Sequence, residues 1–337
     1  MSADDNKEKS MEGLQQTSVN AQSDSQLIQQ LTKQINDVFI GQCDVVEQVM
    51  IALLAAGHVL VEGVPGLGKT LLVRLLAKSI NGEFSRIQFT PDLMPSDITG
   101  HIMFDNETNK FRVRRGPVFT NLLLADEINR APAKTQSALL EVMQEHQVTL
   151  EGKAMPVPEP YLVMATQNPI EQEGTYPLPE AQLDRFIIKI KIDYPQFDEE
   201  HRMVKAVTTN QVGDQFSINN VATQFNPDDI VRLQKKAAEI SVDDAVSNYA
   251  VSIVRKTRDW QGISTGAGPR GGIAIVRCAR AYAFMQGRDF VTPDDVKTVA
   301  LPVLRHRIIL SPEMELEGMD TDRVIIALLE KVSAPRN

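Results

Sequence analysis

A glycine-rich loop, GVPGLGKT, constrains the fold of this chain more than any other sequence feature. An apolar run, Val59-Leu60-Val61, precedes the loop, and a leucine-rich helical pattern follows it. Its glycines permit backbone conformations that other residues avoid, so successive N–H groups can point at phosphate oxygens beside the positive end of the helix. The sequence therefore predicts a strand, a loop and a helix that bind a nucleotide. The candidate binding residues here are Gly63, Pro65, Gly66, Leu67, Gly68, Lys69, Thr70 and Leu71.

Four side chains are candidates for chemistry on the bound nucleotide. We expect Lys69 to reach the β- and γ-phosphates and the Thr70 hydroxyl to hold Mg²⁺. Asp126 and Glu127 end a second apolar run, residues 121–125, which is typical of a buried parallel strand. An aspartate at that point can hold Mg²⁺, and the adjacent glutamate can orient and deprotonate the attacking water. The pattern predicts ATP and Mg²⁺ as ligands.

Length and composition limit the classes of protein to consider. The 337 residues predict two or three domains, and the net charge of −9 argues against a surface that coats nucleic acid. Two distant cysteines and five dispersed histidines favour a reducing compartment without a structural zinc site. The chain shows no apolar run long enough to span a bilayer and no apolar signal region, so we expect a cytoplasmic protein.

The order of patterns along the chain predicts a disordered polar tail and two domains. Residues 1–25 contain almost no large apolar side chains. In residues 26–195, strands alternate with helices, which predicts an α/β fold with a doubly wound parallel sheet. Residues 196–337 lack strand signals, and helix-capping patterns recur at Asn226, Ser241 and Thr292, which predicts an all-helical domain.

Two hairpins interrupt the α/β pattern of the first domain. Alternating residues at about 101–115 surround a turn, and residues 148–155 repeat the arrangement around Glu151-Gly152. The first hairpin carries basic side chains, which are either an interaction patch or a solvated face: Lys110, Arg112, Arg114 and Arg115.

Three further residues are candidates for contact with the phosphates. Asn168 follows the buried strand 161–166, where its amide would meet the γ-phosphate or the attacking water. Arg185 and Arg270 each offer a guanidinium that can neutralise transition-state charge. Spacing alone does not distinguish these arginines from residues in surface ion pairs.

Taken together, these segments resemble the AAA+ ATPases and, within them, the MoxR family. The resemblance covers roughly Gln26 to the C-terminus. Besides the loop, it is carried by these segments: Phe39 to Gln42, RIQFTPDLMPSDITG from Arg86, GPVFTNLLLADEINRAPAKTQSALLEVMQE from Gly116, ATQNP from Ala165 and YPLPEAQLDRF from Tyr176.

The resemblance implies a role for each matching position. Lys69 and Thr70 belong to Walker A, Asp126 and Glu127 to Walker B, and Asn168 to sensor 1. Arg185 resembles the arginine finger that acts on the nucleotide of a neighbouring subunit. Arg270 resembles sensor 2 in the helical lid, in its own or a neighbour's site. Ile40, Gly41 and Gln42 match a segment that lies near the adenine, and both hairpins resemble inserts that face a pore or a partner.

The resemblance also implies a biological role and its partners. Family members look like chaperones that mature protein complexes, often with von Willebrand A domain partners and commonly as hexamers. We therefore expect a Mg²⁺-dependent ATPase ring that remodels a protein client. A nucleic-acid motor remains an alternative, because helicase relatives carry similar hairpins. A third alternative is an ATP-gated binding scaffold, in which Glu127→Gln keeps full function and Lys69→Ala does not.

Overall fold

The computed structural model describes residues 24–64, 66–107, 109–168, 174–208 and 221–335. The predicted disordered tail up to residue 23, and Pro65 of the loop, lie outside the described residues. The first helix, α1 (24–38), begins before the predicted end of the tail. Asp24, which is almost fully buried, accepts hydrogen bonds from Arg232 at 3.1 Å and from Lys236 at 2.5 Å. These contacts with a later helix explain the earlier start.

The first domain contains the predicted alternation of strands and helices, with both hairpins inserted. Along the chain its elements are α1, α2 (Cys43–Leu54), β1 (His58–Glu62), α3 (Lys69–Ser79), β2 (Phe84–Gln88), α4 (Pro95–Thr99), β3 (Gly100–Asp105), β4 (Lys110–Arg115), β5 (Leu122–Asp126), a 3-10 turn (Ile128–Arg130), α5 (Ala133–Glu145), β6 (Gln147–Leu150), β7 (Lys153–Pro156), β8 (Leu162–Gln167), α6 (Glu180–Leu183) and β9 (Phe186–Lys191).

Five of these strands form one parallel sheet in the order β2-β5-β8-β1-β9. Alternate residues of β1 point to opposite faces, so Val59 and Val61 pack in one hydrophobic cluster and Leu60 in another. The first cluster continues into α1, α2 and α3, whereas the second contains Leu139 and Leu140 of α5. The sheet is therefore covered by helices on both faces, and the predicted doubly wound fold is confirmed.

The second domain is the predicted helical lid, with one addition. Its elements are α7 (Phe197–Thr208), α8 (Pro227–Glu239), α9 (Asp244–Arg258), β10 (Ile263–Thr265), α10 (Pro269–Met285), α11 (Pro293–Leu304), β11 (Ile309–Leu310), α12 (Pro312–Leu316) and α13 (Thr321–Lys331). The addition is the short antiparallel pair β10–β11, which was missed because two or three residues are too few to show alternation. Among the described residues, no helix is both long and apolar enough to cross a membrane.

Two histidines are buried where the lid and helix α5 meet the sheet. His58 Nδ1 accepts a hydrogen bond from the Val163 N–H at 3.1 Å, and its Nε2 lies 3.0 Å from the Met143 carbonyl. Burial lowers the pKa of His58 to about 4. Burial, with Arg307 beside the ring, also holds the pKa of His306 well below its ordinary value. Both rings are therefore neutral in the folded protein at neutral pH.

We expect the free energy of unfolding to fall as the pH is lowered from about 6.5 towards 4. Over this range the unfolded histidines bind protons and the folded ones do not, so each contributes a slope of up to about 1.4 kcal/mol per pH unit. In His58→Asn, the amide oxygen can still accept from the Val163 N–H. The slope of the unfolding free energy against pH should therefore fall by the contribution of one histidine, up to about 1.4 kcal/mol per pH unit. Urea unfolding between pH 4.5 and 7 measures it, and equal slopes in the two proteins would contradict the assignment.

Candidate functional site

The carboxyl ends of three neighbouring strands bring most of the candidate residues together. In the sheet, β8 lies between β5 and β1, and the Gly63 N–H donates to the Gln167 carbonyl at 3.3 Å. The glycine-rich loop after β1, the acidic pair at the end of β5 and Asn168 after β8 therefore share one edge. Asn168 is buried there. Ligands of open α/β sheets collect at this edge.

The loop leads directly into α3, whose first residue is Lys69. Gly68 caps this helix with φ +77°, a left-handed conformation that favours glycine, and a Cβ there would lie 2.9 Å from the Phe39 ring. Lys69 Nζ donates to the Gly63 carbonyl at 2.6 Å. Burial lowers the pKa of the Lys69 ammonium, while the carboxylates of Asp126 and Glu127 oppose this shift. The lysine therefore lies inside the loop and close to both acids. Thr70 follows in the first turn of the helix.

A threonine of β8 holds the backbone and side chain of the acidic pair in place. Glu127 has φ +56° and ψ +50°, a left-handed conformation that is strained for a residue other than glycine. Its N–H donates to Thr166 Oγ1 at 2.8 Å, and that hydroxyl donates to Asp126 Oδ1 at 2.6 Å. Thr166 lies within a predicted strand, and only the pairing of β5 with β8 revealed its role.

Side chains of β2 and of the 3-10 turn also bind the carboxylates of Asp126 and Glu127. Arg86 Nη2 lies 2.7 Å from Asp126 Oδ2, and Gln88 Nε2 donates to Glu127 Oε2 at 2.8 Å. Arg130 Nε lies 3.1 Å from the same oxygen of Glu127. Sequence reasoning missed these three partners. A signal was present for two of them, since Arg86 and Gln88 alternate on a strand that ends at the site edge.

Replacing Thr166 by valine is expected to lower both stability and ATP hydrolysis. The valine cannot accept from the Glu127 N–H or donate to Asp126, and leaving a buried polar group unsatisfied costs about 1–3 kcal/mol. The acids would also lose their fixed positions, so kcat should fall by at least about tenfold. Thr166→Ser keeps the hydroxyl and is the matched control. Urea unfolding and steady-state ATPase rates measure the two effects, and a valine variant equal to the serine variant in both would contradict the role of the hydroxyl.

The segment predicted to lie near the adenine borders the loop. Ile40 and Gln42 line a small cavity of about 70 Å³ together with Gly66, Gly68 and Leu71. Leu67 lines it as well, as do Pro195 at the end of the core and Met203 of α7. Gly41 has φ +81°, and a Cβ there would lie 2.9 Å from a carboxylate oxygen of Glu199, so other residues are strained at this position. The cavity thus joins the loop to the core–lid connection.

Arg185 lies near the amino ends of the parallel strands, whereas the loop follows the carboxyl end of β1. It directly precedes β9, whose first residue, Phe186, pairs with His58 at the start of β1. The loop follows the other end of β1, about 16 Å away for a strand of this length. Arg185 Nη1 donates to the Leu140 carbonyl of α5 at 2.7 Å. Arg185 is therefore not part of the phosphate site of its own chain.

Arg270 lies beside Arg185 rather than beside the loop. Both arginines line a cleft of about 350 Å³. Arg270 Nε is 3.9 Å from Asp184 Oδ2, and its side chain is largely exposed. Arg307, which is buried, donates to Asp184 Oδ1 at 2.7 Å and to the Phe186 carbonyl at 2.7 Å. The lid is thus fixed to the start of β9, and the two candidate arginines form one cationic surface. No local sequence pattern predicts the role of Arg307, because its partners come from a distant part of the chain.

Comparisons with known proteins agree with this architecture. Residues 58–188 match the model for the ATPase family associated with various cellular activities (AAA), and residues 255–327 match the AAA lid domain. The chain is 44% identical to Chaperone MoxR1 of Mycobacterium tuberculosis over 316 residues, 90% of this chain and 81% of that protein. It is 45% identical to the uncharacterised protein YeaC of Bacillus subtilis over 309 residues, 92% of this chain and 95% of YeaC.

A solved structure shares the whole architecture. A crystal structure of an inferred ATPase from Cytophaga hutchinsonii superposes with a TM-score of 0.87 at 39% identity, covering 97% of this chain and 99% of the other. The fold, the nucleotide-binding core and the extended similarity to MoxR1 all point to one assignment. The chain is an ATPase that belongs to the MoxR family of AAA+ proteins.

Proposed function

We propose that the protein is a Mg²⁺-dependent ATPase whose copies assemble into a ring, and that it uses hydrolysis to remodel a protein client. The observation that carries this proposal is the position of Arg185 and Arg270. Both lie near the amino ends of β1 and β9, whereas the glycine-rich loop follows the carboxyl end of β1. A cationic pair so placed lies away from the glycine-rich loop of its own chain. It suits the nucleotide of a neighbouring copy, so that two copies complete one site.

The residues around the loop fit a Mg²⁺ ion held together with a nucleotide. The Asp126 carboxylate and the Thr70 hydroxyl supply oxygen donors, which Mg²⁺ prefers. Among the described residues, no three His, Cys, Asp or Glu side chains converge as a metal cage. Mg²⁺ in nucleotide sites is held by one or two protein ligands together with phosphate oxygens and waters, so the small donor set fits. The ion would neutralise charge on the phosphates.

Each protein group then has a defined task in hydrolysis. Lys69 binds the β- and γ-phosphates, and Glu127 orients the attacking water and takes its proton. Asn168 is placed on the same edge to hold the water or the γ-phosphate. Arg185 and Arg270 of the neighbouring copy neutralise the charge that develops on the transferred phosphoryl group. Ile40, Gly41 and Gln42 contact the adenine.

The first hairpin supplies a surface that suits a protein client. The register of β3 and β4 places Phe104 opposite Phe111, with ring centroids 5.2 Å apart, and Val113 on the same face. Phe111 is 76% exposed, and a two-stranded hairpin cannot bury such a face by itself. We propose that this face meets the client, and that a von Willebrand A domain protein is the partner. The relative named as a chaperone supports this class of function.

The proposal is tested by the ATPase rate per subunit as protein concentration rises, with mass measured in parallel by light scattering. We expect the rate to climb together with the assembled fraction, since an isolated copy lacks the arginines of a neighbour. A rate that stays constant in a monomer would place all catalysis within one chain and would overturn the proposed ring.

A further inference from the structure

The lid carries an apolar groove between α9 and α10, with a volume of about 520 Å³. Val251 and Ile273 line it and are 48% and 59% exposed, which is unusual for aliphatic side chains on one continuous surface. Arginines also line the groove, among them Arg255 and Arg258. None of the ion pairs between described residues involves Arg255. The groove therefore presents an apolar floor with unneutralised positive charge beside it.

The groove continues directly into the arginine cleft. Ile273 and Arg277 line both the groove and the cleft that contains Arg185 and Arg270. Arg277 itself is held in place, because it donates to the carbonyls of Ala55 and Ala56. If the cleft meets the nucleotide of a neighbouring copy, the groove must face the same neighbour.

A complementary surface lies on the nucleotide face of the chain. Tyr194 and Phe197, where the core passes into the lid, are 72% and 81% exposed. Asp198 and Glu200 follow in the first turn of α7, are exposed, and form no ion pair among the described residues. Pro195, between the two aromatic residues, lines the small cavity beside the glycine-rich loop. This segment, residues 194–200, therefore combines exposed aromatic side chains with free negative charge at the edge of the nucleotide site.

We propose that residues 194–200 of one copy dock into the α9–α10 groove of the next copy. Phe197 would pack between Val251 and Ile273, and the acidic residues would pair with Arg255 and Arg258. The two surfaces match in polarity and charge. The groove adjoins the cleft that contains Arg185 and Arg270, and residues 194–200 adjoin the glycine-rich loop. Such a contact joins two different surfaces, so repetition of it closes a ring or extends a filament. The inference rests on the proposed function and adds the contact that holds the two halves together.

A charge exchange tests the pairing. Arg255→Glu and Glu200→Arg should each raise, by at least about tenfold, the protein concentration at which half of the chains assemble, because like charges then face each other. The double variant should return the concentration to within about threefold of the parent, since the opposite charges are restored. Arg323→Glu, an exposed arginine outside the groove, is the matched control. A double variant no better than either single variant would overturn the pairing.

Crosslinking tests the contact directly and does not depend on activity. In a Cys43→Ser background, which removes an exposed thiol and leaves the buried Cys278, Phe197→Cys and Val251→Cys are combined and treated with a bis-maleimide. We expect covalent dimers and longer ladders with both cysteines and monomers with either alone. Covalent dimers from Val251→Cys alone would mean that one groove faces another. No crosslinked species from the double-cysteine protein would mean that residues 194–200 lie elsewhere. Either result overturns the proposal.

The two proposals can fail separately. If the ATPase rate still rises with assembly while the exchange and the crosslink fail, the groove contact is wrong and the ring stands. If the rate does not depend on assembly, the ring itself is wrong.

Discussion

Replacing Glu127 by glutamine is expected to lower kcat for ATP hydrolysis by about 10²–10⁴-fold, the usual contribution of a general base. Glutamine has nearly the same shape and keeps a carbonyl oxygen that can accept from Gln88, which donates to Glu127 at 2.8 Å. The left-handed backbone at this residue is held by Thr166 and should not change. The variant should therefore bind ATP with the affinity of the parent and fail at the chemical step.

Single-turnover hydrolysis and a binding titration with a fluorescent ATP analogue separate these two effects. Glu239→Gln, an exposed glutamate at the end of α8, is the control for loss of one negative charge. A Glu127→Gln protein that hydrolyses ATP within about threefold of the parent rate would exclude Glu127 as the base. Loss of ATP binding in the Glu127→Gln protein would instead show that Glu127 contributes to binding ATP.

Replacing Arg185 by alanine is expected to lower kcat of the assembled protein by about 10³–10⁵-fold, the range known for the arginine fingers of GTP hydrolases. The nucleotide affinity of the same chain should stay unchanged, because Arg185 lies at the other end of β1 from the loop. Stability should fall by only about 1 kcal/mol, since the variant loses one hydrogen bond to the Leu140 carbonyl.

Arg185→Lys is the informative companion, because it keeps the charge and loses the two-pronged contact with phosphate oxygens. We expect it to recover only part of the rate. Arg323→Ala is the control for loss of an exposed arginine. An Arg185→Ala protein that assembles and hydrolyses ATP at the parent rate would contradict the proposed role.

The sequence predicted the fold and the carboxyl-edge residues because both depend on local patterns. The apolar run before Asp126 is long enough to identify a buried parallel strand, and parallel strands place their carboxyl ends on one edge. The order of the strands was not predictable in the same way. Insertion of β8 between β5 and β1 is a tertiary pairing, and it alone brings Thr166 to the acidic pair.

The positions of Arg185 and Arg270 could not be predicted from local sequence patterns. The sequence left open whether Arg185 and Arg270 were surface residues, because neither lies within a periodic segment that fixes its direction. Their placement depends on the pairing of Phe186 with His58 and on the anchoring of Arg307 to Asp184. Both contacts join residues from different elements, and no spacing within one element encodes them.

The central claim, that two copies share one catalytic site, is tested most directly by mixing two inactive proteins. Glu127→Gln chains lack the base and keep Arg185, whereas Arg185→Ala chains keep the base. When equal amounts assemble at random, roughly a quarter of the sites combine a Glu127 with a neighbour's Arg185, so we expect roughly a quarter of the parent ATPase rate. A mixture no more active than the sum of its two components would contradict the shared site.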